Sequence, residues 1–330
     1  MRRRHFLAAA TGATAAAVPL VSARPYAVGT SEVIRLRSGL DALAALDATK
    51  GGHESLERAA LAGATEALEL QKRAASQRIR QRLFSVAAEY TTAAAWSLLD
   101  AHSAHQAMGH LNRALYLSGM AQDSVAELDV WNLHAMAAGQ QQDHAQAVSA
   151  AQAALATRVA RRDPLFASLA HARAAIGQSR IQDRRGALRS LGYAEDALAK
   201  APQGVPRPAW TDFYGPAELL ALTAIVRDCI GDAAGAEAAS HRALAEIPQH
   251  FRRNRALATL RLALAQLHQR DIAQACGTVE KVFVLMDGSP LPGRMRSRLG
   301  DFHRDLITLS PDGNAAREWQ DRYRSEWSQS

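Results

Sequence analysis

A spacing of small and apolar residues recurs five times along this chain at intervals of about forty residues. Each copy has an alanine, a second alanine twelve positions later, and small or apolar residues four, seven and, in four copies, eight positions beyond that. The copies are Ala95/Ala107/Leu111/Ala114/Leu115, Ala135/Ala147/Ala151/Ala154/Leu155, Ala175/Ala187/Leu191/Ala194, Ala224/Ala236/Ser240/Ala243/Leu244 and Ala263/Ala275/Val279/Val282/Phe283. Their starts lie 40, 40, 49 and 39 residues apart. A fixed period of this length indicates an array in which each unit buries its apolar face against its neighbours.

Each copy is predicted to form two antiparallel helices. The first alanine lies in one apolar-periodic run, and the remaining positions lie in a second run beyond a polar break. Small residues at the crossing would let the two backbones approach closely. Four of the breaks contain an aspartate that can cap the helix that follows. These aspartates are Asp143, Asp183, Asp232 and Asp271.

Composition favours the same fold. Hydrophobic residues make up 48% of the 330 residues, and the abundant Ala, Leu, Arg, Glu and Gln have high helix propensity. β-Branched residues are sparse and do not alternate with polar ones over a strand length, so a sheet is not expected. The predicted fold class is therefore all-α.

The spacing resembles the tetratricopeptide repeat, in which a Trp, a small residue, an Ala and an apolar residue recur across a helix pair. Trp131 occupies the Trp position of the second copy, and Pro248 the closing Pro position of the fourth. From Pro208 onward the chain is similar to a large actinobacterial family of tetratricopeptide regulators. The resemblance is carried by residues 208–210, 213–219, 231–232 with 236–237, 253–258 with 262–263, and 269–276. It implies a right-handed α-solenoid of tetratricopeptide-like helix pairs.

The expected organisation has four parts. Residues 1–27 form a mobile tail or signal, 28–75 a helical cap, 76–310 the repeats, and 311–330 a closing helix. Many members of the resembling family begin with a Cro/CI-type helix-turn-helix domain, and no such sequence precedes Arg2 here. The resemblance therefore implies a partner-binding module for which no direct DNA binding is expected.

The first residues allow several interpretations. Arg3-Arg4-His5-Phe6-Leu7 precedes a mildly apolar stretch and then Val21-Ser22-Ala23, which is the order of a twin-arginine export signal. The stretch is too short and interrupted for a membrane span. A flexible linker is one alternative. Another is an internal junction, which such a stretch forms in the resembling family. We expect a cytoplasmic protein, with twin-arginine export as the alternative.

The concave face of such an array suits a protein or peptide partner. The candidate contacts project from the first helices between the packing positions. They are Glu89, Thr92, Trp96, Asn132, Met136, Gln140, Arg180 and Glu218. Trp96 and Met136 lie at helical spacing that also suits a core, and this alternative stays open.

Residues 202–216 explain the longer third interval, because four prolines and two glycines interrupt any helix there. Trp210, Phe213 and Tyr214 give this loop a large aromatic area. We expect it to plug the apolar seam between the third and fourth repeats, with a role in the groove as the alternative.

Charge and reactive residues do not indicate another function. The net charge is +7, and 35 of the 39 basic residues are arginine. Arg78/Arg80/Arg82, Arg252/Arg253/Arg255 and Arg294/Arg296/Arg298 are interpreted as solvated faces, because their spacing spreads around a helix.

Cys229 and Cys276 are expected to be buried thiols. His102, His105 and His110 are interpreted as polar cap or surface groups instead of a metal site. With no G-x-S-x-G, HExxH or phosphate-binding glycine loop, we expect a non-enzymatic regulatory binding protein without metal or cofactor.

Overall fold

The computed structural model describes residues 28–50, 54–73, 75–287, 289–311 and 313–327. Regular structure in these ranges is helical throughout, which confirms the predicted all-α class. The helices are α1 (Thr30–Lys50), α2 (Glu54–Gln71), α3 (Gln77–Asp100), α4 (Ala104–Ala121), α5 (Ser124–Gln140), α6 (His144–Ala156), α7 (Pro164–Arg180), α8 (Arg184–Ala199), α9 (Pro216–Cys229), α10 (Ala233–Glu246), α11 (Arg252–His268), α12 (Ile272–Met286), α13 (Gly293–Leu309) and α14 (Asn314–Trp327). A short 3₁₀ helix spans Ala209–Thr211. The predicted signal segment lies outside the described residues.

The helices pack in adjacent pairs. α3 packs on α4, α5 on α6, α7 on α8, α9 on α10 and α11 on α12. The odd-numbered helices from α3 to α13 also contact one another in succession, so they form an inner layer. We call them the inner helices, and the even-numbered partners from α4 to α14 the outer helices.

The recurring small residues form the seam between the two helices of each pair. In the first pair, Ala95 of α3 and Ala107 and Leu111 of α4 have no exposed surface. In the last pair, Ala263 of α11 and Ala275 of α12 are equally buried. The predicted helix pairing is therefore confirmed, and small side chains at these positions bring the paired helices together.

The turns within the five pairs share a backbone conformation. One residue in each of them adopts positive φ. The positive-φ residues are His102, Gln142, Gln182, Gly231 and Arg270. In the last four turns an aspartate side chain accepts a hydrogen bond from the backbone N–H three residues later, as predicted from the sequence.

The aromatic loop plugs the seam between α7 and α9, as expected. The Tyr214 side chain is buried, and its hydroxyl lies 2.7 Å from Ser168 Oγ of α7. The Trp210 ring packs against Phe166, with the ring centroids 5.8 Å apart. Arg207 anchors the loop by donating two 3.1 Å hydrogen bonds to the Asp163 carboxylate. Phe213 stays exposed.

Candidate functional site

The inner helices surround a cavity of about 1690 Å³. α1 and residues 206–217 of the aromatic loop complete its lining. The cavity lies on the concave side of the array, where the sequence predicts a groove.

An ion-pair cluster joins the two ends of the array and closes this groove. Asp100, at the end of α3, has a side chain only 1% exposed. Its carboxylate lies 2.5 Å from Arg253 Nη2 of α11 and 3.1 Å from Arg294 Nη2 of α13. A Cβ on Gly293 would collide with the backbone of Ala101, so glycine lets α13 begin directly against the end of α3. The interpretation of the Arg253 and Arg294 clusters as solvated faces is therefore wrong for these two arginines.

Helix α1 crosses one side of the cavity. It contacts α2, α3 and the 3₁₀ helix of the aromatic loop. Trp96 Nε1 donates a 2.9 Å hydrogen bond to the Asp47 carboxylate, and Arg253 donates a 2.7 Å bond to the Asp47 backbone carbonyl. Burial raises the pKa of Asp47, and the hydrogen bond from Trp96 opposes that shift. The Arg294 guanidinium stacks over Trp96, 5.1 Å from the ring centroid. These contacts join α1, α3, α11 and α13 along this side of the cavity.

The structure brings every sequence-predicted contact residue to this one cavity. The residues that line it are Glu89, Thr92, Trp96, Asn132, Met136, Gln140, Arg180 and Glu218. Trp96 and Met136 are only partly buried and pack against the α3–α5 cluster, so they belong to the cavity wall. Their role in binding stays a prediction.

Several of these side chains already have intramolecular partners. Glu89 forms a 3.1 Å ion pair with Arg37 of α1. Gln140 donates a hydrogen bond to the carbonyl of Leu99, and Thr92 bonds within its own helix. Much of the polar lining near α1 is therefore fixed before any ligand binds.

A side-chain hydrogen bond joins α5 and α7 in the cavity wall. Arg173 Nε donates a 2.7 Å hydrogen bond to Asn132 Oδ1. One turn away, the Asp129 carboxyl is buried, and burial raises its pKa to about 8 although a hydrogen bond from Asn132 opposes the shift. Asp129 is therefore mostly protonated at neutral pH.

Several arginines that line the cavity were missed by the sequence analysis, among them two on inner helices. Arg173 of α7 and Arg261 of α11 both line it, and burial lowers the pKa of both guanidinium groups, that of Arg261 to about 10. Glu218 on the intervening helix α9 opposes both shifts. A lone arginine inside an Ala- and Leu-rich inner helix is the sequence signal that could have identified them.

His268 ties three inner helices together at the edge of the cavity. Its ring nitrogens lie 2.6 Å from Asp228 of α9 and 3.2 Å from Asp305 of α13. These two carboxylates raise the pKa of His268 to about 10. The imidazolium therefore stays charged at neutral pH and supports this edge.

No protein-family model matches the chain, and no curated protein matches it significantly. Among the described residues there is no group of three or more His, Cys, Asp or Glu side chains that could hold a metal ion. Within the same residues, no helix has the length and apolar character needed to cross a bilayer.

Proposed function

We propose that this protein is a non-enzymatic binding module that captures a peptide or a short protein segment in the cavity. Its architecture is then a right-handed solenoid of tetratricopeptide-like repeats, and its role is regulatory. The observation that carries this proposal is a large cavity lined by the inner helices of successive pairs.

The size and lining of the cavity support a peptide over a small metabolite. Pockets for drug-sized ligands span about 300–1,000 Å³, and this cavity exceeds that range. Apolar side chains such as Met136, Ile176 and Leu257 alternate around it with polar groups such as Asn132 and Asn254. Such a lining can bury apolar side chains of a peptide while offering hydrogen bonds to its backbone.

A selection from a phage-displayed library of random nonapeptides would test the proposal. We expect enriched peptides, made synthetically with a fluorophore, to bind the purified protein with micromolar or lower Kd by fluorescence anisotropy. Met136→Glu places a charge in the cavity wall and should weaken binding at least tenfold. Tyr116→Glu, at a 67% exposed position on outer helix α4, is the matched control and should leave the Kd unchanged. Absence of enrichment, or equal losses in both variants, would overturn the proposal.

We place the protein in the cytoplasm and expect no direct DNA binding. The Arg3-Arg4 sequence favours the second candidate, a binding protein exported by the twin-arginine route. Fractionation of the tagged protein with sequencing of its amino terminus separates the two. An extracytoplasmic form beginning near Arg24 would establish export.

A further inference from the structure

We infer that the cavity contains a carboxylate-binding subsite formed by Arg173 and Arg261, so that its ligand is a peptide presenting a carboxylate group. This inference rests on the proposed function and specifies the chemistry of the same cavity.

Neither guanidinium group forms an ion pair within the part of the chain that the structure describes. Arg173 uses its Nε for Asn132, and no other hydrogen bond or ion pair to a described residue engages its Nη atoms. Arg261 makes no hydrogen bond or ion pair with any residue in the described ranges. The two groups are close enough for the charge on Arg173 to lower the pKa of Arg261. Both side chains line the same cavity, so donors from α7 and α11 face a shared space with unused capacity.

Arg173 and Arg261 share one nearby carboxylate. Among the described residues, Glu218 is the carboxylate whose charge favours both charged guanidiniums, so one anion serves two cations. Asp129 is close to Arg173, but it is mostly neutral at pH 7. A partly buried charge without an adequate partner is costly, and a bound anion would remove that cost.

The geometry of arginine and the charge of the neighbouring Glu218 favour a carboxylate over a phosphate. A planar guanidinium matches the two oxygens of a carboxylate in a bidentate arrangement. A phosphate dianion would bring a second negative charge next to Glu218, whereas a singly charged carboxylate balances the excess. A peptide supplies this group either at its C-terminus or on an Asp or Glu side chain.

Three short probes distinguish these sources. They are acetyl-tetraalanine with a free C-terminal carboxylate, the same peptide as its amide, and the amide with one Ala replaced by Glu. Binding would be measured by the rise in unfolding temperature on titration at matched ionic strength. We expect at least one carboxylate probe to raise the unfolding temperature and the uncharged amide to have no effect. The more effective carboxylate probe identifies the source.

Arg173→Gln and Arg261→Gln should each weaken the carboxylate probe at least tenfold. Arg189→Gln, on the exposed face of outer helix α8, is the control for non-specific binding to surface arginines and should bind like wild type. Equal weakening in the control, or no difference between acid and amide probes, would overturn the inference.

Unfolding of the variants without probe tests whether the arginines have a purely structural role. Arg261→Gln removes a desolvated charge that forms no ion pair or hydrogen bond with a described residue, so the unfolding temperature of the variant without probe should equal or exceed that of wild type. A large decrease would show that Arg261 stabilises the fold and would count against the subsite. If selected peptides bind regardless of carboxylate content, the inference fails and the proposed function stands. If acid probes bind through both arginines but the library yields no binders, the proposed function fails and the subsite stands.

Discussion

The same inner helices present two surfaces of opposite character. Toward their outer partners they present a seam of small apolar residues, such as Ala95 and Ala263, with no exposed surface. Toward the cavity they carry large and charged side chains, such as Trp96 on α3 and Arg261 on α11. Close packing therefore determines which residues the seam can contain, whereas the cavity wall accommodates charged side chains that a closely packed seam would exclude.

The largest effect is expected from removing the Asp100 carboxylate, which joins the two ends of the array. Asp100→Ala leaves Arg253 and Arg294 partly buried without their shared carboxylate, so the free energy of unfolding should fall by about 3–5 kcal/mol. Urea denaturation would measure it. Asp301→Ala, which removes exposed ion pairs on α13, is the control and should cost less than about 1 kcal/mol. Similar losses in both variants would contradict the closing role of Asp100.

The second test replaces an ionisable group within the wall. The folded-state pKa of Asp129 is about 8, above its ordinary value of 3.8, so the folded protein holds a proton that the unfolded chain releases in that interval. This carboxyl therefore lowers stability increasingly as the pH rises from about 4 to about 8.

The variant Asp129→Asn carries no ionisable group at this position. It should raise the free energy of unfolding by at least about 2 kcal/mol at pH 8, because a pKa raised from 3.8 to about 8 costs the wild type more than that, and it should have little effect at pH 4. Thermal and urea unfolding at both pH values would measure the difference. Asp196→Asn, at an exposed position on α8, should show no such pH dependence. A variant that is less stable than wild type at pH 8 would contradict the assigned protonation.

The third test compares seam and wall on one helix. Ala95→Leu adds volume to the closed α3–α4 seam and should cost about 2 kcal/mol. Ala93→Leu adds the same volume beside the cavity, where space is available, and should cost less than about 0.5 kcal/mol. Denaturant unfolding of both variants would measure the two stability costs. Equal costs would show that the distinction between seam and wall is wrong.

The smallest effect concerns the turns that hold each seam in register. Gln182 has φ of 64°, a conformation that glycine adopts without strain, so Gln182→Gly should stabilise by about 0.5 kcal/mol. Gly231→Ala, at φ of 80°, is the reciprocal change and should destabilise by about 1 kcal/mol. Calorimetric unfolding temperatures would resolve both. Shifts of the same sign would contradict the common turn design.

The sequence predicted the features that depend on neighbouring helices. The alanine spacing identified the seams, the aspartates identified the caps, and the aromatic content of residues 202–216 identified the plug. All of these follow from local periodicity or turn chemistry, in which the partners lie within one repeat or in adjacent repeats.

The closure of the array could not be predicted in this way. Asp100 and Arg253 are 153 residues apart, and only the curvature of the whole array brings them together. Arg173 and Arg261 likewise belong to non-adjacent pairs, so no spacing relates them. The wall residues could be predicted because the repeat pattern indicates which helix and which helix face each of them occupies. Their ionic partners could not, because they depend on the fold of the whole chain.

The contact of Asp100 with Arg253 and Arg294 has a consequence for how the molecule unfolds. A linear array has two terminal units that can fray independently, because each unit contacts only its neighbours. Linking α3 to α11 and α13 gives these units partners on both sides and makes the chain resemble a ring. Loss of any one helix pair should then destabilise the pairs on either side, so that the array unfolds in a single cooperative transition.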